Sequence, residues 1–219
     1  MTTMSRHTFR CAICGTLTSF QEIMRTNEFG SPDLDLRPAP MKRYTTPLWA
    51  QECPHCGYAN HTIDATPPEG VDMAWLRSKE YTTCEGNDFV DKLSSMFYHQ
   101  YMLHRKQDNK QMAFYAVLCA AWMCDDSRDT KHAIVCRLIA AKLAHELFLS
   151  DNDPKWAILW ADNMRRANRF CEVLSSNEFD EALRGSGILE TLMAFEKRLA
   201  SSEDSACYTV DYALNEMKA

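Results

Sequence analysis

Two Cys-x-x-Cys-Gly knuckles constrain this chain more than any other feature. The first is Cys11-Ala12-Ile13-Cys14-Gly15 and the second is Cys53-Pro54-His55-Cys56-Gly57. Two residues between the cysteines let both sulfurs face one point. The glycine that follows can take positive φ and turn the chain away from that point. Together the pairs supply four thiolates, enough to close a tetrahedral site around one Zn²⁺ per chain. Four sulfur ligands leave no coordination position open to water, so the site reads as structural. A redox dithiol is the alternative, but such a pair opens a helix after a strand. Neither pair does so here, and Pro54 and Gly57 favour a rigid turn. His7, His55 and His61 lie near enough in sequence to be alternate ligands, yet four thiolates already complete the set.

The knuckles sit in a segment unlike the rest of the chain. Residues 1–66 contain Pro32, Pro38, Pro40, Pro47 and Pro54, which break helices. Short β-favouring pieces at Thr16–Phe20, Arg43–Gln51 and Tyr58–Ile63 surround the cysteines. The pattern predicts a small zinc ribbon over 1–66, with Phe29–Met41 as an irregular loop inside it. Thr66-Pro67-Pro68-Glu69-Gly70 reads as a linker. Beyond it, over 71–219, glycine is scarce and helical spacing dominates. Helices are expected near 71–82, 88–105, 109–125, 129–149, 154–174, 178–200 and 207–217. The third is the most apolar (Met112, Phe114, Val117, Leu118, Ala121, Trp122) and is expected to be central. Asp129 and Asp153 are expected N-caps, with Pro154 at a first helical position. Segments 112–149 and 156–199 have the lengths of two helix-turn-helix units, which suggests a tetratricopeptide-like array; a plain bundle is the alternative. The fold class is therefore mainly α with a small N-terminal β zinc ribbon. Because the helices bury their own apolar faces, losing one thiolate is expected to loosen 1–66 and leave the helices after residue 70 intact.

Charge bears on the partners. The net charge is −6 from 24 basic and 30 acidic residues. Neither part of the chain is basic, which disfavours nucleic acid, whose phosphates call for clustered Lys and Arg. The N-terminal MTTMSRHTFR has no apolar h-region, and the uncharged stretch Gln111–Cys124 is shorter than the ~20 residues a bilayer requires. A cytoplasmic protein without membrane contact is expected. In that reducing compartment ten cysteines mean metal ligands and buried thiols, not disulfides. Cys84, Cys119, Cys124, Cys136, Cys171 and Cys207 read as core fillers.

Other motifs fail on inspection. His145-Glu146 starts like H-E-x-x-H, but Leu149 stands where the second histidine would be. Gly185-Ser186-Gly187 ends its would-be phosphate loop in Glu190 with no strand before it, and reads as a kink or turn. Arg165, Arg166 and Arg169 form the one local basic cluster, near Trp156 and Trp160. They offer either a solvated face opposite a core stripe or a contact site for an acidic peptide. His99, His104, Tyr98 and Tyr101 read as packing or surface residues.

The combination of Cys11-x-x-Cys14-Gly15, Tyr44, Pro47-Leu48 and Cys53-Pro54-His55-Cys56-Gly57-Tyr58-Ala59, followed by an Ala-rich helical segment, resembles the bacterial family called domain of unknown function 2225. The resemblance implies a zinc-ribbon head on a tetratricopeptide-like tail. Its specific part covers residues 9–60; in the tail, Ala121-Trp122 and the Ala-rich stretch 131–148 fit by composition. The acidic, Pro-rich loop 31–40 departs from the family pattern. No catalytic residue is implied, and only Cys11, Cys14, Cys53 and Cys56 carry over, as metal ligands. The reading that results is a cytoplasmic zinc-binding interaction module for a protein or peptide. Its rivals are a nucleic-acid-binding ribbon, which would draw on Arg37, Lys42 and Arg43, and an enzyme with its site between ribbon and helices.

Overall fold

The computed structural model describes residues 2–82 and 88–218. Cys84 falls outside the described residues. The chain is mainly α-helical, with two small two-stranded sheets near the N-terminus. Strands β1 (Thr3–Arg10) and β2 (Leu17–Arg25) form an antiparallel hairpin whose register closes at Arg10 opposite Leu17. A 3₁₀ segment, Arg43–Leu48, occupies most of the stretch expected to be extended. Thr45 and Thr46 turn their hydroxyls back onto the carbonyls of Lys42 and Arg43, a local bond that competes with strand pairing. Strands β3 (Gln51–Glu52) and β4 (Ala59–Asn60) make a second, minimal ladder.

The helices are α1 (Met73–Leu76), α2 (Lys79–Thr82), α3 (Lys92–Lys106), α4 (Lys110–Asp126), α5 (Thr130–Asp151), α6 (Lys155–Arg166), α7 (Phe170–Leu174), α8 (Asn177–Leu183), α9 (Ile188–Ser201) and α10 (Val210–Glu216). Four of them stop by a common device that uses no glycine. Asp108, Arg128, Asn168 and Glu203 take left-handed φ of 53–60° after α3, α4, α6 and α9. The next N–H then reaches back five residues: Asn109 to the His104 carbonyl, Asp129 to Cys124, Arg169 to Met164 and Asp204 to Leu199, at 2.8–3.0 Å. This satisfies carbonyls that a helix end leaves open. At two of these turns the stop is followed at once by a start. Asn109 accepts from Met112 N–H to cap α4, and Asp129 accepts from His132 N–H to cap α5. Asp153 likewise accepts from Lys155 N–H ahead of α6. Such a stop at Asn168 divides the expected 154–174 helix into α6 and α7. Gly185 and Gly187, at φ +78° and +63°, divide the expected 178–200 helix into α8 and α9.

The described chain forms two compact units: Met1–Glu28 with Pro40–His132, and Phe29–Ala39 with Ala133–Ala219. Both draw on chain from each side of the 66–70 linker. In the first, α3 packs against α4, and α4 is buried on every face from Ala116 to Cys124, as its composition predicts. In the second, Leu34, Phe179, Leu183, Met193, Phe195 and Leu199 share one apolar core. The presence of Leu34 there corrects the expectation of an irregular ribbon loop. Residues 29–39 are a strap of the second unit. Leu34 N–H donates to the Tyr208 carbonyl, Val210 N–H to that of Pro32, and Asp33 bridges to Thr209.

The strap also delivers a buried charge. Asp35 is fully buried and pairs with Arg166 at 2.6 Å and Arg137 at 3.6 Å. Beside it Arg165, at 0% exposure, is bonded to Glu196, to Asp162 at 2.9 Å, and to the carbonyls of Asp204 and Ala206 at 2.8 Å. One guanidinium thus joins α6, α9 and the segment after α9. Neither the solvated nor the peptide-contact reading of the Arg165 face holds, because Arg165 and Trp156 are both interior. Arg169 is exposed.

Two outcomes follow for the second unit. Arg165→Met leaves Asp162 and Glu196 buried without their cation, and should cost about 3–5 kcal/mol in urea denaturation, whereas Arg169→Glu should leave the midpoint nearly unchanged. The second outcome concerns pH. Burial pushes the Glu196 carboxyl up from 4.5 to about 8, helped by Asp162 and opposed by Arg165. The folded state therefore holds a proton that the unfolded chain releases. This contribution is full below pH 4.5 and is lost as pH rises through about 8. Urea midpoints across that range should fall with pH, and Glu196→Gln should flatten the fall.

Candidate metal centre

Each knuckle is the turn of a hairpin. Cys11–Thr16 joins β1 to β2, and Cys53–Tyr58 joins β3 to β4. Their backbone bonds coincide. Gly15 N–H donates to the Cys11 carbonyl and Cys11 N–H to that of Thr16; Gly57 N–H donates to Cys53 and Cys53 N–H to Tyr58, all at 2.9 Å. Gly15 and Gly57 sit at φ +74° and +76°. A Cβ at either would meet nothing within 4 Å, so the requirement for glycine is conformational, not steric.

The two turns bring their sulfurs together. Cys11 Sγ lies 3.6 Å from Cys56 Sγ, and Cys14 Sγ lies 3.6 Å from Cys53 Sγ. All four sulfurs lie within 4.8 Å of one another. A tetrahedron with metal–sulfur bonds of ~2.3 Å has edges of ~3.8 Å, so the donor set fits a tetrathiolate metal ion. Cys11 and Cys53 are buried, while Cys14 and Cys56 are partly accessible. Burial raises the Cys11 and Cys56 thiols. Burial also opposes ionisation at Cys14, but hydrogen bonds with the Thr16 hydroxyl and backbone and with the neighbouring thiols outweigh it and bring Cys14 down to about 6.

His7, His55 and His61 are not part of this group among the described residues. His7 bonds to the Ser5 hydroxyl on the hairpin, and His61 to the Asn60 side chain. Of the single cysteines, Cys119, Cys124 and Cys136 fill the interior as expected; Cys171 and Cys207 are exposed, which corrects the core-filling reading for those two. Tyr98, Tyr101 and His104 are buried. His145 bonds to Glu178 at 3.2 Å. No described helix is long and apolar enough to cross a membrane.

What the sequence left unseen is the wiring of the second knuckle into the helices of its own unit. Tyr81, on α2, donates its hydroxyl to the Gly57 carbonyl at 2.7 Å. Its ring stacks on His99 of α3, which in turn lies 3.4 Å from the Glu52 carboxylate on β3. Tyr58 is fully buried and donates to the Ala65 carbonyl. Ala12 N–H, in the first knuckle, donates to the Ile63 carbonyl. No spacing rule marks Tyr81 or His99, because their roles arise only when α2 and α3 fold back onto β3 and β4.

The chain matches no family model, no curated protein and no solved structure.

The wiring changes what metal loss should do. Chelation or Cys53→Ser should raise amide hydrogen exchange in the hairpin first, then in 57–60, and then in α2 and α3 through Tyr81 and His99; it should not stop at residue 66. Tyr81→Phe removes the bond to Gly57. It should keep the metal stoichiometry, cost about 1 kcal/mol, and speed exchange at 57–60 alone.

Proposed function

We propose that Cys11, Cys14, Cys53 and Cys56 hold one structural Zn²⁺ per chain, and that the protein acts by binding a protein or peptide. The observation that supports this most is the closed set of four sulfur donors on two rigid turns. Four thiolates in tetrahedral array suit Zn²⁺ or an iron centre. A redox-inert d¹⁰ ion suits a closed set of four sulfurs held by two rigid turns. Bound there, Zn²⁺ would supply folding energy, ~10–16 kcal/mol apparent in small zinc units. That is a large term for a hairpin with no buried side chain in either strand.

The same reading includes a reducing, cytoplasmic setting, in which the remaining thiols stay reduced. It includes the kinship with domain of unknown function 2225, which rests on residues 9–60, and a repeat-type character for the helices. Nucleic acid is disfavoured by the fates of two of the three residues on which it would draw: Arg37 is buried and Lys42 pairs with Glu28.

Protein purified without chelator should carry one zinc per chain by elemental analysis and show no visible absorption. Cobalt substitution should give the charge-transfer and ligand-field bands of a tetrathiolate site. Iron with visible absorption, or a metal-free protein of unchanged stability, would overturn the zinc reading.

A further inference from the structure

The β1–β2 hairpin is exposed to an unusual degree for regular structure. No residue of either strand is buried. A two-stranded ribbon without a covered face is marginal in water; here the first knuckle pins one end. The two edges differ. The 3₁₀ segment Arg43–Leu48 lies against β2. Along β1, no backbone group makes a hydrogen bond to a described residue outside the hairpin. In an antiparallel pair, alternate N–H and C=O groups of an outer strand point outward, so β1 presents a row of them. Natural edges are commonly blunted with charged side chains, Pro or a bulge. Thr3–Arg10 has no Pro and no carboxylate, its charges are Arg6 and Arg10, and its register shift lies at the open end, between Thr3 and Met4.

Charge says what fits there. The register sets Met4, Arg6, Thr8 and Arg10 on one face, opposite Ile23, Gln21, Ser19 and Leu17. In a chain of net charge −6, that face has two arginines and no carboxylate. Arg6 is exposed and has no partner among the described residues, and Arg10 is exposed and donates to the Gly15 carbonyl. Met4 and Leu17 are 52% and 58% exposed at its two ends.

Resting on the interaction reading above, we propose that β1 is a docking edge, to which an extended acidic segment of a partner protein adds as a third strand. Main-chain bonds would carry the affinity, and carboxylates spaced to meet Arg6 and Arg10 would carry the selectivity. A second copy of the chain fits poorly. Pairing two β1 strands brings both copies of Arg6 and Arg10 to one junction with no carboxylate on either strand, and like charges across strands are destabilising. A nucleic acid fits poorly too, since two arginines supply little of the cation cluster that phosphates need.

The probe is a capped, dye-labelled peptide of alternating glutamate and valine, eight residues long to match β1, with its lysine–valine counterpart as control. Both are titrated against the full metal-loaded chain by fluorescence anisotropy. The glutamate peptide should bind and the lysine peptide should not. Arg6→Glu with Arg10→Glu should weaken binding by about tenfold or more while zinc content stays at one per chain. Independently of any variant, amide shifts on the wild-type chain should map to Thr3–Arg10. The docking edge is overturned if the glutamate peptide fails to bind, if the double variant binds it equally well, or if a thymidine oligonucleotide displaces it at lower concentration. It is also overturned if the chain dimerises through β1. Shifts confined to the helices, or no binding of either peptide, would overturn the edge and leave the interaction reading standing.

Discussion

Four thiols within 4.8 Å of one another are an electrostatic problem before they are a solution. Ionised together they repel, and protonated they offer only weak hydrogen bonds. Against its burial, hydrogen bonds draw Cys14 down to about 6, while burial pushes Cys11 and Cys56 up. A divalent cation bound there would remove that conflict, and much would depend on it. The first knuckle is the turn of a hairpin with no interior of its own, and the second is fastened through Tyr81 and His99 to α2 and α3. One point of attraction at the sulfurs would therefore align a ribbon with no buried side chain and a ladder two residues long.

The second unit solves a parallel problem without metal. Asp35, Asp162 and Glu196 are buried beside Arg137, Arg165 and Arg166. Burying ions is costly, and such groups persist only when bonded on every side. Arg165 meets that condition with four partners from three parts of the chain. A raised Glu196 carboxyl, protonated below about pH 8, lets it and Asp162 share the Arg165 cation. In both units a small number of polar atoms, not the apolar core alone, decides which segments lie together.

The cysteines were legible because metal chemistry fixes their spacing within a few residues. The mainly helical class was legible from periodicity, and the α4 interior from its composition. Breaks within helices were harder to read. The turn at Asn168 carries neither Gly nor Pro, and Arg128 and Glu203 adopt left-handed φ in spite of a preference against it. Their cost is met by the back-bonds to Cys124 and Leu199, which periodicity does not report. Arg165 was misplaced for a related reason. A charged residue on a helix looks solvated until the carboxylates that enclose it, at positions 162 and 196, are known to be interior. The strap at 29–39 was invisible because its partners, Arg137, Arg166 and Tyr208, lie more than a hundred residues further along the chain.

That distance has a consequence for synthesis. Residues 29–39 leave the ribosome well before Tyr208 and Thr209 exist, a delay on the order of ten seconds at ordinary elongation rates. Until then Leu34 has no core to enter, and the strap is an apolar residue waiting in water. Its immediate neighbours are Asp33 and Asp35, and charges flanking an apolar residue are what keep a nascent segment from aggregating. The carboxylate that later locks the strap to Arg166 thus serves first as its protection, so one side chain has two roles separated only by time.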